Sequence, residues 1–192
     1  GFFPVDELKT LRKPGSRLQG HPNMNDTPGV DMSTGSLGQG ISAAAGMALA
    51  AKLQGKENRV YTLLGDGELE EGQVWEALMF AHHYKLDNLC ILVDNNNLQI
   101  DGSIDQIIDP YPIVDKLMTF GLHVETINGH DFRQMEEAFL NARNTKGTPT
   151  AIVMKTVKGK GVSFMENQVG WHGKAPNDEE YRIAMKELEE AS

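Results

Sequence analysis

Four groups of residues in this chain could do chemistry together: Gly65-Asp66-Gly67, Asn95-Asn96, His21 and His172. Asp66 and Asn96 are hard oxygen donors of the kind that hold Mg2+ or Ca2+, and the glycines let backbone approach a phosphate closely. The Asn pair begins after 27 residues that follow Gly67. If the fold brings the two groups together, they suit a diphosphate bridged by a divalent cation. Imidazoles transfer protons near neutral pH, so His21 and His172 are candidate acids or bases. Each group has a plainer alternative: an Asp in a turn, Asn residues at a strand end, a solvated loop histidine.

The elements that must position these groups read clearly. Gly65-Asp66-Gly67 follows the apolar run from Val60 to Leu64, and Asn95-Asn96 follows another from Leu89 to Val93. Both runs read as buried parallel strands. Between them Val74, Ala77, Leu78 and Ala81 recur at helical spacing, predicting a helix from about Glu70 to Tyr84. A strand–helix–strand crossover makes the strands parallel and brings their ends to one sheet edge. Asp66 and Asn96 then meet at the carboxyl edge, where open α/β sheets bind ligands. At an edge, rather than in the core, replacing Asp66 by Ala is expected to leave the fold intact.

Further elements follow from period and punctuation. The spacing predicts helices over about 6–12, 37–53, 107–120, 131–144 and 177–190, with Asp131 as a cap and Pro110 and Pro112 introducing the third. The glycines of the 37–53 helix imply close packing against a neighbour. Leu122–Ile127 and Thr150–Lys155 read as two more strands. Gly20–Gly40 is one long loop, and Lys158–Gly161 with Phe164–Pro176 forms a second; such loops in compact domains are usually functional or disordered. The result is a single doubly wound α/β domain, mostly parallel, with helices on both faces. His82 and His83 project about 100° apart on a helix, so they are poorly placed to share a metal and read as surface or packing residues.

Composition narrows the function classes. The chain has 192 residues, 40% of them hydrophobic, enough for one domain with a full core. A net charge of −9 disfavours nucleic acid and anionic membrane as partners. No run of about 18 apolar residues and no signal peptide is visible. The single cysteine, Cys90, excludes an internal disulfide and a cysteine metal cluster, and it reads as a core residue in a reducing cytoplasm. The chain begins with Gly1 rather than Met, as expected of a trimmed or processed N-terminus.

The wider context of these residues resembles one family. The run GDGELEEGQVWEA from Gly65 to Ala77 and the run DNNNLQIDG from Asp94 to Gly102 look like transketolase. So do Gly20-His21-Pro22, Thr27–Val30 and TGSLGQG from Thr34 to Gly40, which resemble its substrate-channel segment. Trp171-His172-Gly173 resembles its late diphosphate-binding loop. The likeness covers about Phe2 to Pro176.

That resemblance implies thiamine diphosphate, anchored through Mg2+ or Ca2+ by Asp66, Asn96 and the Leu98 carbonyl. It places Gly67, Glu68 and His172 on the cofactor, with the Gly35 carbonyl on the aminopyrimidine and Leu37 and Ile100 against the rings. Lys158 stands where some transketolases carry Ile and others Lys, and is a further cofactor candidate; its alternative is solvent exposure beside Lys160. His21 sits by resemblance near the thiazolium and the substrate's reacting oxygens. Glu71 and Glu76 match acids at the subunit interface. Five residues apart on a helix they diverge by about 140°, which favours Glu71 of the two. Either could instead be a helix acid favoured by the dipole.

The resemblance also implies what lies elsewhere. The pyrimidine and C-terminal domains have no counterpart here, nor has the family's early Gly-His motif, whose histidine helps hold the diphosphate. The expectation is therefore the N-terminal subunit of a split transketolase, inactive alone and self-associating as a homodimer or within a heterotetramer. With a pyrimidine-domain C-terminal subunit it would transfer a two-carbon ketol unit between sugar phosphates, the carboxyl edge forming the interface. Two alternatives stand beside it. A 1-deoxyxylulose-5-phosphate synthase is disfavoured by the GHP and LGQG segments, and a non-catalytic assembly subunit by the joint presence of Asp66, Asn96, His21 and His172.

Overall fold

A computed structural model of the chain describes residues 1–190. Four parallel strands form its main sheet: β1 (Val60–Gly65), β2 (Leu89–Asn95), β5 (His123–Asn128) and β6 (Thr150–Lys155), in the order β1-β2-β6-β5. Between β2 and β5 a two-residue antiparallel hairpin, β3 (Leu98–Gln99) with β4 (Gly102–Ser103), stands apart from the sheet. Helices cover both faces, as the pattern requires. On one face α1 (Gln39–Leu53), α2 (Gly72–His83) and α4 (Ile113–Thr119) bury Ile41, Ala48, Val74, Leu78 and Leu117 against Leu64, Ile91 and Val153. On the other, α5 (Phe132–Asn144) packs Ala138 and Ala142 against Cys90, Ile127 and Ile152. Cys90 is thus a small core residue, as its neighbours in the sequence suggest.

The crossover β1–α2–β2 forms as the spacing predicts, with Val74, Ala77, Leu78 and Ala81 as the buried face of α2. Its helix begins later than Glu70. Gly67–Glu70 is a 3-10 turn, Glu71 is extended at ψ 124°, and α2 starts only at Gly72. Asp131 caps α5 as expected, accepting from the N–H groups of Arg133 and Gln134 at 2.9 and 3.2 Å. The closing helix α6 (Asp178–Glu190) is capped in the same way by Asn177, whose side-chain oxygen accepts from Glu179 and Glu180. Among the described residues no helix is long and apolar enough to cross a membrane.

Four expectations need correction. The 107–120 segment is not one helix: a single turn α3 (Ile104–Ile107) is followed by an extended stretch with a cis Tyr111–Pro112 bond, and α4 starts at Ile113. Proline lacks the N–H and clashes with the preceding turn, so Pro110 and Pro112 hold this segment out of the helix. The early helix is a 3-10 segment, Val5–Thr10, which buries no residue. Strand β1 is not buried throughout, because it is an edge strand with one covered face; Tyr61 and Leu63 remain 50% and 63% exposed. Finally, of the glycines in the 37–53 segment Gly38 packs closely on Glu71, but the buried face of α1 itself comes from its alanines. Ala44, Ala45, Ala48 and Ala51 are buried, whereas a Cβ on Gly46 would meet nothing within 4 Å.

Candidate functional site at the carboxyl edge

The parallel register aligns the strand ends. Gly65 pairs with Asp94, and Asn95 with Lys155, so the residues after β1, β2 and β6 share one edge. Asp66 sits there but is not solvated: it is 1% exposed. Its Oδ1 accepts from the Gly67 N–H at 2.9 Å, and its Oδ2 accepts from the Asn95 side-chain amide at 3.0 Å and the Asn97 N–H at 2.6 Å. A carboxylate offers about four acceptor positions. Three are filled, and the remaining one is on Oδ1.

Each of three consecutive asparagines has a separate task here. The Asn95 side chain points inward to Asp66. Asn96 is half-buried, and its Oδ1 accepts from the Leu98 N–H at 3.0 Å, closing the turn into β3. Asn97 adopts a left-handed backbone, φ 66°, which aims its N–H at Asp66. Asparagine tolerates that conformation better than most residues. Sequence reading selects Asn96 and passes over Asn95. The signal is present all the same, because strand alternation that buries Ile91 and Val93 buries Asn95 as well.

The glycine of the turn has a steric reason. A Cβ on Gly67 would lie 3.1 Å from Gln99 Cβ, so the turn and the hairpin touch. Gln99 also donates to Glu70 at 2.9 Å. Burial pushes the Glu70 carboxyl up, the Gln99 hydrogen bond opposes this, and the nearby Asp66 and Glu71 carboxylates add to the rise. Glu68 is bound to backbone on both oxygens, by the Gly38 N–H at 2.9 Å and the Gly65 N–H at 3.3 Å. It ties the 34–40 loop to the end of β1. Glu71 is exposed and lies against the same loop, since a Cβ on Gly38 would be 3.1 Å from its Cβ.

His21 and Gly35 come together as well. A Cβ on Gly35, at φ +120°, would fall 2.6 Å from the His21 ring, so the imidazole lies directly on that glycine. Leu37 and Ile100 are 53% and 63% exposed, an apolar pair with no role in the core. His172 is exposed at the end of a 3-10 turn, and its loop is pinned by the Trp171 indole donating to the Phe164 carbonyl at 3.0 Å. Lys158 is half-buried and has no carboxylate partner among the described residues. No hydrogen bond or ion pair joins the Lys158 or His172 side chain to the Asp66 turn among the described residues, whereas Gly67, Gln99 and Asn95–Leu98 are brought into one cluster. His82 and His83 are both exposed, the first bonded to the Gly121 carbonyl at 3.0 Å and the second edge-on to Tyr84.

No group of three or more His, Cys, Asp or Glu side chains gathers into a metal cluster among the described residues. A cation here would rely on one carboxylate together with amide and carbonyl oxygens, a set that suits Mg2+ or Ca2+ rather than a softer metal.

Residues 2–189 match the family model described as transketolase, thiamine diphosphate binding domain. The chain is 45% identical over 189 residues to the 6-deoxy-6-sulfo-D-fructose transketolase subunit SqwG of Clostridium sp. (strain MSTE9), covering 98% of this chain and 69% of that protein. It is 41% identical over 190 residues to an apulose-4-phosphate transketolase subunit of Actinobacillus succinogenes, covering 99% and 68%. The crystal structure of transketolase from Campylobacter jejuni superposes with a TM-score of 0.90 at 32% identity, over 96% of this chain but only 30% of that one. The chain belongs to the transketolase family and corresponds to its thiamine diphosphate binding domain.

Proposed function

We propose that this chain is the diphosphate-binding half of a two-subunit transketolase, transferring a two-carbon ketol group between ketose and aldose phosphates when joined to a pyrimidine-domain partner. One observation carries the reading: Asp66, on the turn after β1, and the Asn95–Leu98 segment after β2 form a single oxygen-rich pocket with one Asp66 acceptor position to spare. In this reading Asp66 Oδ1, Asn96 Oδ1 and the Leu98 carbonyl hold Mg2+ or Ca2+. Gly67 and Glu68 shape the turn around the diphosphate, and Lys158 and His172 bring positive charge or hydrogen bonds to it from their loops. The Gly35 carbonyl orients the aminopyrimidine, while Leu37 and Ile100 keep water from the rings.

When bound, thiamine diphosphate supplies the carbon centre that carries the two-carbon fragment, and the protein contributes position and polarity. His21, resting on Gly35, holds or moves a proton at the substrate's reacting oxygens. Glu71, exposed beside the 34–40 loop, meets a second subunit. The reading places the complex in the cytoplasm, as a homodimer of this chain or a heterotetramer with its partner.

The test is reconstitution. The purified chain alone is expected to turn over no sugar phosphate, and addition of the pyrimidine-domain subunit with Mg2+ and thiamine diphosphate should restore ketol transfer. Cofactor binding is followed separately, through near-ultraviolet circular dichroism. Robust turnover by the chain alone, or a stable two-subunit complex that neither binds the cofactor nor transfers a ketol group, overturns the proposal.

A further inference from the structure

Residues from two further parts of the chain back the pocket around Asp66. Tyr111, in the extended segment before α4, accepts from the Asn95 side-chain amide at 2.8 Å through its hydroxyl and donates to Asn97 Oδ1. From the end of β6, the Lys155 ammonium donates to Asn95 Oδ1 and lies 5.6 Å from the Tyr111 ring centroid. Asn95 therefore stands between a cation and a carboxylate. Its carbonyl faces Lys155, and its amide nitrogen donates to both Asp66 and the Tyr111 hydroxyl. The reverse orientation would set oxygen against carboxylate and N–H against ammonium, so electrostatics select one rotamer.

We infer that Asn95, Tyr111 and Lys155 form a positioning brace that saturates Asp66 Oδ2 and leaves Oδ1 for the divalent cation. This rests on the metal site proposed above. Without the brace, Asp66 can rotate about its terminal torsion, a broad and soft one for carboxylates, and present either oxygen. Held as it is, the carboxylate offers one oxygen in one direction, as a small octahedral cation requires. Asn97 completes the arrangement, because its N–H and its side-chain oxygen connect Asp66 to Tyr111. Three stretches of the chain thereby act through Asn95 and Asn97 on Asp66 Oδ2, the oxygen opposite the one left for the cation. None of the three brace residues is itself a catalytic residue.

Groups that orient metal ligands typically change metal affinity by about 10- to 100-fold when removed. The test is Mn2+ affinity, read by electron paramagnetic resonance on the folded chain with saturating thiamine diphosphate. Tyr111→Phe should weaken Mn2+ about 10-fold. Lys155→Met should weaken it in the same direction, and Lys155→Arg, which keeps the cation, should restore it. Binding of thiamine diphosphate without metal should be the same in all variants. Lys155 is exposed, so its substitutions keep the fold whatever happens at Tyr111. Unchanged Mn2+ affinity in Tyr111→Phe and Lys155→Met, with the wild-type chain binding normally, overturns the brace alone. A wild-type chain that takes up no Mn2+ overturns the metal site and the brace with it.

Discussion

The carboxylate of Glu68 accepts a hydrogen bond from the backbone N–H of Gly38 at 2.9 Å, joining the turn after β1 to the start of α1. The two loops it joins carry Asp66 on one side and Leu37 on the other. Glu68→Ala should free the Gly38 amide, which hydrogen–deuterium exchange would report as faster exchange at that position. A hydrogen bond to a charged group is worth about 1.5 kcal/mol at the low end, so cofactor affinity should fall about tenfold. An exchange rate at Gly38 unaltered by the substitution would remove Glu68 from this role.

The contact between His21 and Gly35 yields a paired prediction. Gly35→Ala forces a methyl into the ring position and strains a backbone at φ +120°, so it should displace His21 and mimic His21→Ala. Both should lower kcat of the reconstituted enzyme by about 10²- to 10⁴-fold with little change in cofactor affinity. His172→Ala should do the reverse, weakening the cofactor more than turnover. Steady-state kinetics over a range of thiamine diphosphate separates the two patterns, and exchanged phenotypes mean exchanged roles.

Asp66 is buried, and this changes what its removal should do. Asp66→Ala abolishes the metal-dependent part of cofactor binding. It also strands the N–H groups of Gly67 and Asn97 and the Asn95 amide. The Asn95 donor is buried, and a buried donor left without its acceptor is costly, so the variant should lose about 2 kcal/mol of stability as well. Urea denaturation measures this, and a midpoint equal to wild type would show that water replaces the carboxylate at no cost.

A pH effect should come from Asp131. Hydrogen bonds from Gln134, chiefly its backbone N–H, hold the Asp131 carboxyl below its ordinary range, with Arg133 adding to the effect. A depressed folded-state value means that its contribution is present above the unfolded value and is lost as pH falls through the folded one. Asp131→Asn should therefore melt below wild type at pH 7, and the gap should close in acid. A gap that stays constant from pH 7 to pH 2 would show that the charge contributes nothing.

Much of the architecture is readable from residue order. Strands β2 and β6 are short apolar runs bounded by turn residues, and α2 and α5 show helical period with a cap or a buried stripe. Parallel strands plus a crossover are enough to place Asp66 beside the asparagine run. What escapes depends on contacts distant in sequence. Tyr111 and Lys155 carry no local mark of their attachment to Asn95, and Glu68 has none of its attachment to Gly38. The start of α2 reads too early because acidic residues from Glu68 to Glu71 favour a helix N-terminus, whereas Gly72 and the extended Glu71 delay it. The exposure of β1 cannot be read from its composition, since position in the sheet decides it.

The all-parallel order of strands has a consequence for how the domain assembles. Asp66 and Asn95 are 29 residues apart, and Gly121 and Thr148, which link the starts of β5 and β6, are 27 apart. Asn95 and Lys155, which join the two halves, are separated by 60. Doubling a loop costs only about 0.6 kcal/mol in closure entropy, but the longer search is the slower event. The β1–α2–β2 and β5–α5–β6 units should therefore condense first and the β2–β6 seam last. The carboxylate pocket would then be built in two stages, its oxygens gathered within the first unit and its ammonium delivered only when the seam closes.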